Sequence, residues 1–185
     1  MPRDLVVRAQ AGDHDAFAAL AAASIGHLSD VARLILRGGD GAEDAVQEAL
    51  VRAWLDIRGL RDPDRFDAWL YRLLVRACYR SATRDRGRRV AEIPMRTEEG
   101  GPAPDGFAAI AARDELERGF RRLRPDERAV LVLHHYLSLS DSEAADVLGV
   151  PLGTMKSRLN RATSSLRAAL AADERRAVQV RESIA

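Results

Sequence analysis

The 185-residue chain has one cysteine, Cys78, few aromatic residues and no long uninterrupted apolar run. A single cysteine cannot form an internal disulfide or a cysteine-rich zinc site, which is typical of proteins of a reducing cytoplasm. No segment approaches the roughly 18–20 apolar residues of a membrane span. The N-terminal sequence MPRDLVVRAQ lacks the apolar core of a signal peptide. These absences predict a cytoplasmic protein.

Aromatic residues make up only 5% of the chain, and β-branched residues are also scarce. This composition disfavours a fold rich in β-sheet. Hydrophobic residues account for 46% of the chain, an ordinary fraction for a folded protein. Alanine, leucine and arginine, which are strong helix formers, dominate the sequence. We therefore predict an all-α fold.

The net charge of +1 conceals a marked segregation of charge along the chain. Residues 61–89 contain nine arginines and four aspartates, and residues 152–170 contain four cations and no acid. Acidic residues outnumber basic ones in residues 90–106. The pattern indicates two segments that face a polyanion, separated by a spacer. Solvated arginine-rich helices are the alternative, and composition alone does not distinguish the two.

The spacer also marks the domain boundary. Residues 98–106 consist of glycine, proline, alanine and acids with no hydrophobic period, which is typical of a linker. We predict two small helical domains, residues 1–89 and 108–172, joined by a flexible linker at residues 90–107. The sequence assigns no role to the tail at residues 173–185.

Apolar periodicity predicts four helices in the N-terminal domain. The first covers residues 12–20 and the second residues 25–35. Asp40 and Glu43 have the spacing of a capping box, which predicts the start of the third helix. The fourth starts at Pro63, because proline is tolerated at the first helical position.

The third and fourth helices carry polar faces opposite their apolar stripes. In the third helix the polar residues are Asp44, Gln47, Glu48 and Arg52. In the fourth the apolar stripe is Phe66, Trp69, Leu70, Leu73, Leu74 and Ala77, and the arginines opposite are Arg65, Arg72, Arg76 and Arg80. The polar face suits docking of another protein and the arginines suit a nucleic-acid backbone, although both also fit solvated surfaces.

The C-terminal domain has the pattern of a helix-turn-helix. Helices are predicted at residues 108–123 and 126–137. A short helix then starts at the capping box of Ser140 and Glu143, and a basic, acid-free helix starts at Pro151. Two helices joined by a tight glycine-containing turn, the second of them basic, are typical of duplex-DNA recognition.

The last helix separates a core stripe from a polar face. We expect the core stripe to contain Leu152, Met155, Leu159, Ala162, Leu166 and Leu170. Opposite it, or at the helix start and flank, are Gly153, Thr154, Lys156, Ser157, Arg158, Asn160 and Arg161. Lysine and arginine suit phosphates or guanine edges, and the short polar residues suit base edges. A solvated cationic face on an ordinary bundle helix is the alternative.

Signatures of catalysis and of metal binding are weak. The sequence GVPLGTMKS at residues 149–157 contains a Gly…Lys-Ser string, but no glycine precedes the lysine and no strand precedes the string, so it is not a phosphate loop. His134 and His135 point about 100° apart on a helix and have no nearby cysteine or HExxH partner, which disfavours a metal site. We expect no cofactor, no metal, no small-molecule substrate and no enzymatic activity.

Three motifs resemble one protein family. The sequence GVPLGTMKSRL at residues 149–159 is similar to the promoter-recognising helix-turn-helix of the extracytoplasmic-function (ECF) bacterial sigma factors. AEDAVQEALVRAW at residues 42–54 resembles the family's RNA-polymerase-binding helix, and RFDAWLYR at residues 65–72 resembles the start of its −10 helix. The motifs occur in the family's order, and the resemblance covers about residues 5–172.

The resemblance implies a transcription initiation factor with regions two and four of the sigma-70 family. The N-terminal domain would bind the clamp helices of the polymerase β′ subunit and melt the −10 element, and the C-terminal domain would recognise the −35 element and contact the β flap. The polymerase-binding residues would be Asp44, Gln47, Glu48 and Arg52. The −10 residues would be Arg65, Trp69, Arg72, Arg76 and Arg80, and the −35 residues those of the last helix's polar face.

The resemblance also implies an anti-sigma factor as a partner, and a role in the stress response. The family often has asparagine where this chain has Arg76, so the −10 base preference is not carried over. A stand-alone helix-turn-helix repressor and an anti-sigma or adaptor protein are the alternatives, and the motif at residues 42–54 disfavours both. We expect the two domains to tumble semi-independently. A compact free state that hides the polymerase-binding patch is the alternative.

Overall fold

The computed structural model describes residues 1–89 and 107–184 of the chain. The described residues form eight α-helices and no strand, which confirms the all-α prediction. The predicted linker lies outside the described residues, except for its last residue. The helices are α1 (Arg3–Gln10), α2 (His14–Leu36), α3 (Gly39–Asp56), α4 (Phe66–Arg89), α5 (Phe107–Arg122), α6 (Pro125–Leu131), α7 (Asp141–Leu148) and α8 (Leu152–Ile184).

The start of the chain differs from the prediction. Helix α1 was not expected, and the two helices predicted at residues 12–20 and 25–35 are the single helix α2. The polar Ser24 does not interrupt α2, because its hydroxyl donates a 2.8 Å hydrogen bond to the Leu20 carbonyl one turn earlier. Ile25, expected in the apolar stripe, is 48% exposed.

The starts of α3 and α4 show one wrong prediction and one correct one. Gly38 is the N-cap of α3, so Asp40 lies inside the helix and not at the N-cap position predicted for it. The φ angle of Gly38 is 122°, a left-handed conformation that favours glycine. Before α4, the Asp62 side chain accepts a 3.0 Å hydrogen bond from the Asp64 amide, and a short 3₁₀ turn leads into the helix.

In the C-terminal domain the predicted elements are largely present. The helix predicted at residues 126–137 consists of α6 and a π-helical turn (Val132–Tyr136). The capping box of α7 is confirmed, since Ser140 and Glu143 exchange hydrogen bonds, and these bonds lower the pKa of the Glu143 carboxyl. Gly149 ends α7 in a left-handed conformation with a φ of 68°.

Helix α8 packs through the predicted stripe except at its first residue. Met155 and Ala162 are fully buried, whereas Leu152 is 45% exposed, because it starts the helix ahead of the contact with α7. The backbone of residues 173–184 continues α8, so the tail is an extension of the last helix.

The two predicted domains share a continuous apolar core. Helices α2 and α4 contact α6, and α4 also contacts α7. Ile35 and Leu74 from the N-terminal half belong to the same buried cluster as Val130, Leu133 and Val147 from the C-terminal half. The described arrangement corresponds to the compact alternative, because α6 and α7 bury apolar residues against α2 and α4 as well as against α8.

A buried arginine crosses the contact between the two halves. Arg128 of α6 is 2% exposed. Its Nε donates to the Ile35 carbonyl of α2 at 2.5 Å, and its Nη1 donates to the Leu123 carbonyl at 2.6 Å. Burial lowers the pKa of Arg128 to about 10, so the guanidinium stays charged at neutral pH. Arg128 thereby joins the end of α2 to the start of the helix-turn-helix region.

Helix α2 is long and apolar enough to cross a bilayer by length and composition alone, contrary to the expectation that no segment approaches a membrane span. One third of this segment is buried, and its buried residues include Leu28, Val31 and Ile35 of the shared core. Core helices of globular domains meet the same criterion, so the feature is weak evidence for a membrane span.

Two helical glycines provide a matched test of the packing between α5 and α8. A Cβ added at Gly119 would lie 2.7 Å from Leu170 Cδ2, whereas one added at Gly26 of α2 would meet no atom within 4 Å. We expect Gly119→Val to lower the free energy of unfolding by about 1–3 kcal/mol through overpacking. Gly26→Val should change it by no more than about 0.5 kcal/mol. Chemical denaturation followed by circular dichroism measures both, and equal effects would contradict the steric explanation.

Candidate functional site

The outer face of α3 carries the residues predicted to bind polymerase. Asp44 and Gln47 are exposed, and Arg52 is exposed with its Nε 2.7 Å from Asp56 Oδ2. These residues share the face with two apolar side chains, Val51 and Leu55. We call this set the α3 surface: Asp44, Gln47, Glu48, Val51, Arg52 and Leu55.

The apolar members of the α3 surface were not predicted from the sequence. Val51 is 54% exposed and Leu55 is 63% exposed. Their positions continue the i, i+3, i+4 and i+7 spacing that begins at Asp44, and this spacing was the available signal. Exposed apolar side chains between polar ones are typical of surfaces that bind another protein.

Aromatic packing holds α3 against α2. The Trp54 ring lies 4.6 Å from the His14 ring and 5.0 Å from the Phe17 ring, measured between centroids. Trp54 thus anchors α3 to α2, and the α3 surface lies on the side of the helix away from this contact.

Glu48 links the α3 surface to α4. Its Oε1 lies 2.7 Å from Arg80 Nε, and its Oε2 lies 2.9 Å from Arg84 Nη2. The pairing joins a predicted polymerase-binding residue to a predicted −10 residue.

The predicted −10 arginines lie along one side of α4 and of the 3₁₀ turn before it, which ends at Arg65. We call them the α4 basic row: Arg65, Arg72, Arg76 and Arg80. The first two contact α7 of the C-terminal half. Arg65 Nη1 lies 3.3 Å from Asp146 Oδ2, and Arg72 Nε donates to the Asp146 carbonyl at 3.0 Å, with a second bond from Nη2. Trp69 is half-buried, and its ring centroid lies 5.9 Å from that of Phe66.

The predicted −35 residues lie on the outer side of α8. We call them the α8 surface: Gly153, Thr154, Lys156, Ser157, Arg158, Asn160 and Arg161. All are exposed except Thr154 and Arg158, which are half-buried. The Ser157 hydroxyl donates a 2.9 Å hydrogen bond to the Thr154 carbonyl, which leaves its lone pairs free to accept. A Cβ at Gly153 would meet no atom within 4 Å, so the start of α8 is open.

Arg158 lies on the flank of the α8 surface, towards α4. Burial raises the pKa of Tyr79 on α4 to about 12, and the charge of Arg158 opposes that rise. Arg158 is therefore near enough to α4 for its charge to act there.

Among the described residues, no cluster of three or more His, Cys, Asp or Glu side chains could hold a metal ion. His134 Nδ1 lies 3.6 Å from Asp141 Oδ1. Cys78 is buried, and burial raises the pKa of its thiol to about 12, so the thiol stays protonated at neutral pH.

A groove of about 790 Å³ separates the end of α2 from α5 and α8. Arg33, Arg37 and Arg121 are among its lining residues. Its apolar lining consists of Leu34, Leu116, Phe120, Leu131, Val132, Tyr136 and Leu166. Leu116 and Tyr136 are about half exposed, so the groove presents apolar side chains beside cations.

Comparison with known proteins identifies the family. Residues 22–89 match the family model described as Sigma-70 region 2, and residues 113–166 match Sigma-70, region 4. The chain is 32% identical to the ECF RNA polymerase sigma factor SigM of Mycobacterium tuberculosis, over 88% of this chain and 81% of that protein. It belongs to the ECF sigma factors of the sigma-70 family. The ECF sigma factor EcfG of Rhodopseudomonas palustris is 34% identical, over 72% of this chain and 74% of the relative.

Two solved structures resemble this ECF sigma factor. One is described as the sigma factor RpoE in complex with the anti-sigma factor NepR from Bartonella quintana. It aligns with a TM-score of 0.66 at 28% identity and covers 85% of this chain and 98% of that chain. The other, described as CnrH in complex with the cytosolic domain of CnrY, aligns with a TM-score of 0.63 at 31% identity and covers 92% and 97%.

The family membership settles the general activity. This ECF sigma factor directs transcription initiation, in which sigma factors bind core RNA polymerase and promoter DNA. The resemblance seen in the three sequence motifs is thereby confirmed at the level of the family.

Proposed function

We propose that this ECF sigma factor has no enzymatic activity of its own and acts in the cytoplasm as a dissociable subunit of core RNA polymerase. Residues 1–89 bind polymerase and the −10 element, residues 108–172 bind the −35 element, and residues 90–107 connect them. The observation that carries the proposal is the presence of an amphipathic α3 surface next to the α4 basic row, with a separate exposed α8 surface.

The α3 surface is the proposed docking site for the β′ clamp helices. Val51 and Leu55 supply apolar area, and Asp44, Gln47 and Arg52 supply polar partners around it. An apolar centre with polar neighbours fits the usual anatomy of a protein interface. Glu48, by contrast, contributes through its pairing with Arg80 and Arg84 at the edge of this surface.

The α4 basic row is the proposed binding site for the melted −10 strand. Guanidinium groups bind phosphates with charge-assisted hydrogen bonds, and an aromatic side chain next to them offers a stacking surface for an unpaired base. Trp69 is the aromatic residue of this site, and part of its surface remains accessible. Arg76 defines the position where the base preference of the site is set.

The α8 surface is the proposed −35 recognition surface, and it also neighbours the β flap. Lys156 and Arg158 bind phosphates, whereas Ser157 and Arg161, nearer the centre of the exposed face, contact base edges. Thr154 and Asn160 add short polar groups beside them. The open backbone at Gly153 and the positive end of the helix dipole favour a phosphate at the start of α8.

The groove between α2 and α5–α8 is the proposed site of an anti-sigma factor. The two structural relatives are sigma factors bound to NepR and to the cytosolic domain of CnrY. Apolar side chains flanked by Arg33 and Arg121 suit an amphipathic helix with acidic residues. Such a partner contacts both halves of the chain at once and holds them together.

Reconstituted transcription tests the proposed function. We expect the chain to co-purify with core polymerase and to produce promoter-dependent transcripts that core alone does not produce. The double variant Asp44→Ala/Gln47→Ala should weaken core binding about tenfold, because two polar contacts at a protein interface are lost. Asp15→Ala, which removes an exposed carboxylate of α2 away from the α3 surface, is the control.

Tight, specific duplex binding by the chain alone, with no association with core polymerase, would instead identify a stand-alone repressor. Unchanged core affinity of the Asp44→Ala/Gln47→Ala variant would remove the α3 surface as the docking site without removing the family assignment.

A further inference from the structure

Lysine is nearly absent from this chain. Lys156 is the only lysine, and every other member of the 29 Lys and Arg residues is an arginine. The arginine guanidinium stays protonated, whereas a lysine amine can lose its proton and is the side chain that acyl groups modify in proteins. The chain therefore offers one side-chain amine to an acylating reagent, and that amine belongs to the α8 surface.

The Lys156 side chain is exposed, and among the described residues it forms no hydrogen bond or ion pair. Residues three and four positions away are its neighbours on the surface of a helix. None of these four residues carries a carboxylate, since they are Leu152, Gly153, Leu159 and Asn160. A Cβ at Gly153 would meet no atom within 4 Å, so the helix is open on this side. The Lys156 amine is thus accessible from solvent.

Helix α8 carries a field that attracts anions to this amine. Residues 147–172 contain no acidic residue, and the same stretch contains Arg158, Arg161 and Arg167 in addition to Lys156. A surface with charges of one sign raises the local concentration of ions of the other sign. Acyl phosphates are small anionic acyl donors, so this field concentrates them beside the amine.

We propose that Lys156 is an acylation site, with acyl phosphates such as acetyl phosphate as the donors, and that its acylation weakens −35 binding. The neutral Nζ attacks the acyl carbonyl carbon, an amide bond forms, and the bond from that carbon to the phosphate oxygen breaks. Inorganic phosphate leaves with the electron pair of the broken bond. Of the two protons that the ammonium group loses overall, one goes to the phosphate and one to solvent. The inference rests on the proposed −35 role of the α8 surface.

Acylation removes the group with which Lys156 binds a DNA phosphate. The amide is neutral and keeps a single N–H, so the positive charge and the three donors of the ammonium group are lost. Each phosphate that a protein neutralises contributes about one unit to the slope of binding affinity against salt concentration on logarithmic scales. The acylated chain should therefore bind promoter DNA more weakly, with a slope smaller by about one. The α3 surface and the α4 basic row contain no lysine and keep their charges.

Treatment of the full chain with acetyl phosphate tests the proposal. The free chain is incubated with the reagent, the reagent is removed, and untreated core polymerase and promoter DNA are then added. Peptide mass spectrometry gives the acetylated fraction at each amine, and each chain is compared with its own untreated sample. We expect acetylation of Lys156 and a loss of promoter-dependent transcription that follows the acetylated fraction. At full modification the loss should be about tenfold, as for one lost contact.

Two variants separate this effect from modification elsewhere. Lys156→Arg keeps a cation and removes the amine, so the reagent should change its transcription by less than about twofold. This variant retains the amine of Met1, which lies 2.8 Å from Asp67 Oδ2, and therefore also reports any effect of acetylation there. The double variant Lys156→Arg/Arg118→Lys moves the side-chain amine to an exposed position of α5. It should be acetylated without a loss of transcription.

Lys156→Gln provides a second measurement that needs no reagent. Glutamine resembles an acetylated lysine because it is neutral and ends in an amide. Its transcription should be about as low as that of the fully acetylated parent chain, and the salt dependence of promoter binding should fall by the same amount.

Absence of acetylation at Lys156 would overturn the proposal, and so would complete acetylation of Lys156 without a loss of transcription. An equal loss in treated Lys156→Arg would also overturn it, because the modification that matters would then lie elsewhere. If the untreated parent chain gives no promoter-dependent transcripts with core polymerase, the proposed function fails. If Lys156→Ala/Arg161→Ala loses transcription but the acetylated parent chain does not, only the acylation site is removed.

Discussion

Replacing Arg128 with alanine should lower the free energy of unfolding by about 2–4 kcal/mol. The guanidinium is buried and is the donor to the Ile35 and Leu123 carbonyls. Alanine would leave both carbonyl oxygens without this partner and would open a cavity beneath α6. A buried polar group that loses its partner costs about 1–3 kcal/mol, and a loss of about 1–2 kcal/mol for each of the two carbonyls gives the expected range.

Urea denaturation followed by circular dichroism measures the loss. Arg118→Ala, which removes an exposed guanidinium from α5, is the matched control and should change stability by less than about 0.5 kcal/mol. Arg128→Met separates the loss of the hydrogen bonds from the effect of the cavity, because methionine keeps most of the side-chain volume and removes only the hydrogen bonds. A loss below about 1 kcal/mol for Arg128→Ala would show that the carbonyls find other partners at little cost.

The double variant Lys156→Ala/Arg161→Ala should reduce promoter-dependent transcription about a hundredfold at subsaturating sigma factor. Lys156 and Arg161 are exposed on the α8 surface. A good base contact is worth about 1–3 kcal/mol, and a phosphate contact adds an electrostatic contribution that depends on salt. Two lost contacts of about 1.4 kcal/mol each correspond to the expected hundredfold change.

The single variants Lys156→Ala and Arg161→Ala distinguish a phosphate-binding residue from a base-contacting one. Lys156→Ala should weaken binding to all −35 sequences alike and reduce the salt dependence, whereas Arg161→Ala should change the preference at individual bases. Arg167→Ala, farther along α8 and also exposed, is the control. A uniform effect of Arg161→Ala on every −35 variant would exclude Arg161 as a base-contacting residue.

The features that were predicted correctly are those that depend on residues close together in the sequence. The capping box of Ser140 and Glu143 and the Asp62-Pro63 start before α4 depend on side chains within a few residues of one another. The polar faces of α3 and α8 were also predicted, because helical periodicity alone places Asp44 and Lys156 away from the apolar stripes.

The wrong predictions concern helix boundaries, because the local sequence there is compatible with more than one position for a helix start or end. Residues 12–35 were predicted to form two helices, yet the hydroxyl of Ser24 bonds inside the helix and α2 continues. The pair Asp40 and Glu43 had capping-box spacing, but Gly38 is the N-cap.

The sequence by itself determined the helical class, the helix-turn-helix and the sigma-factor family, since helix propensity, caps and contiguous motifs are all encoded locally. Only the tertiary structure decided that α7 lies on the α4 basic row, that Arg128 bonds to α2 and that Val51 and Leu55 remain exposed on α3. These features depend on contacts between residues far apart in the chain, such as Arg72 with Asp146 and Arg128 with Ile35. The periodicity of a helix shows which of its faces is apolar or charged. Which face of another helix packs against it depends on how all the helices pack together.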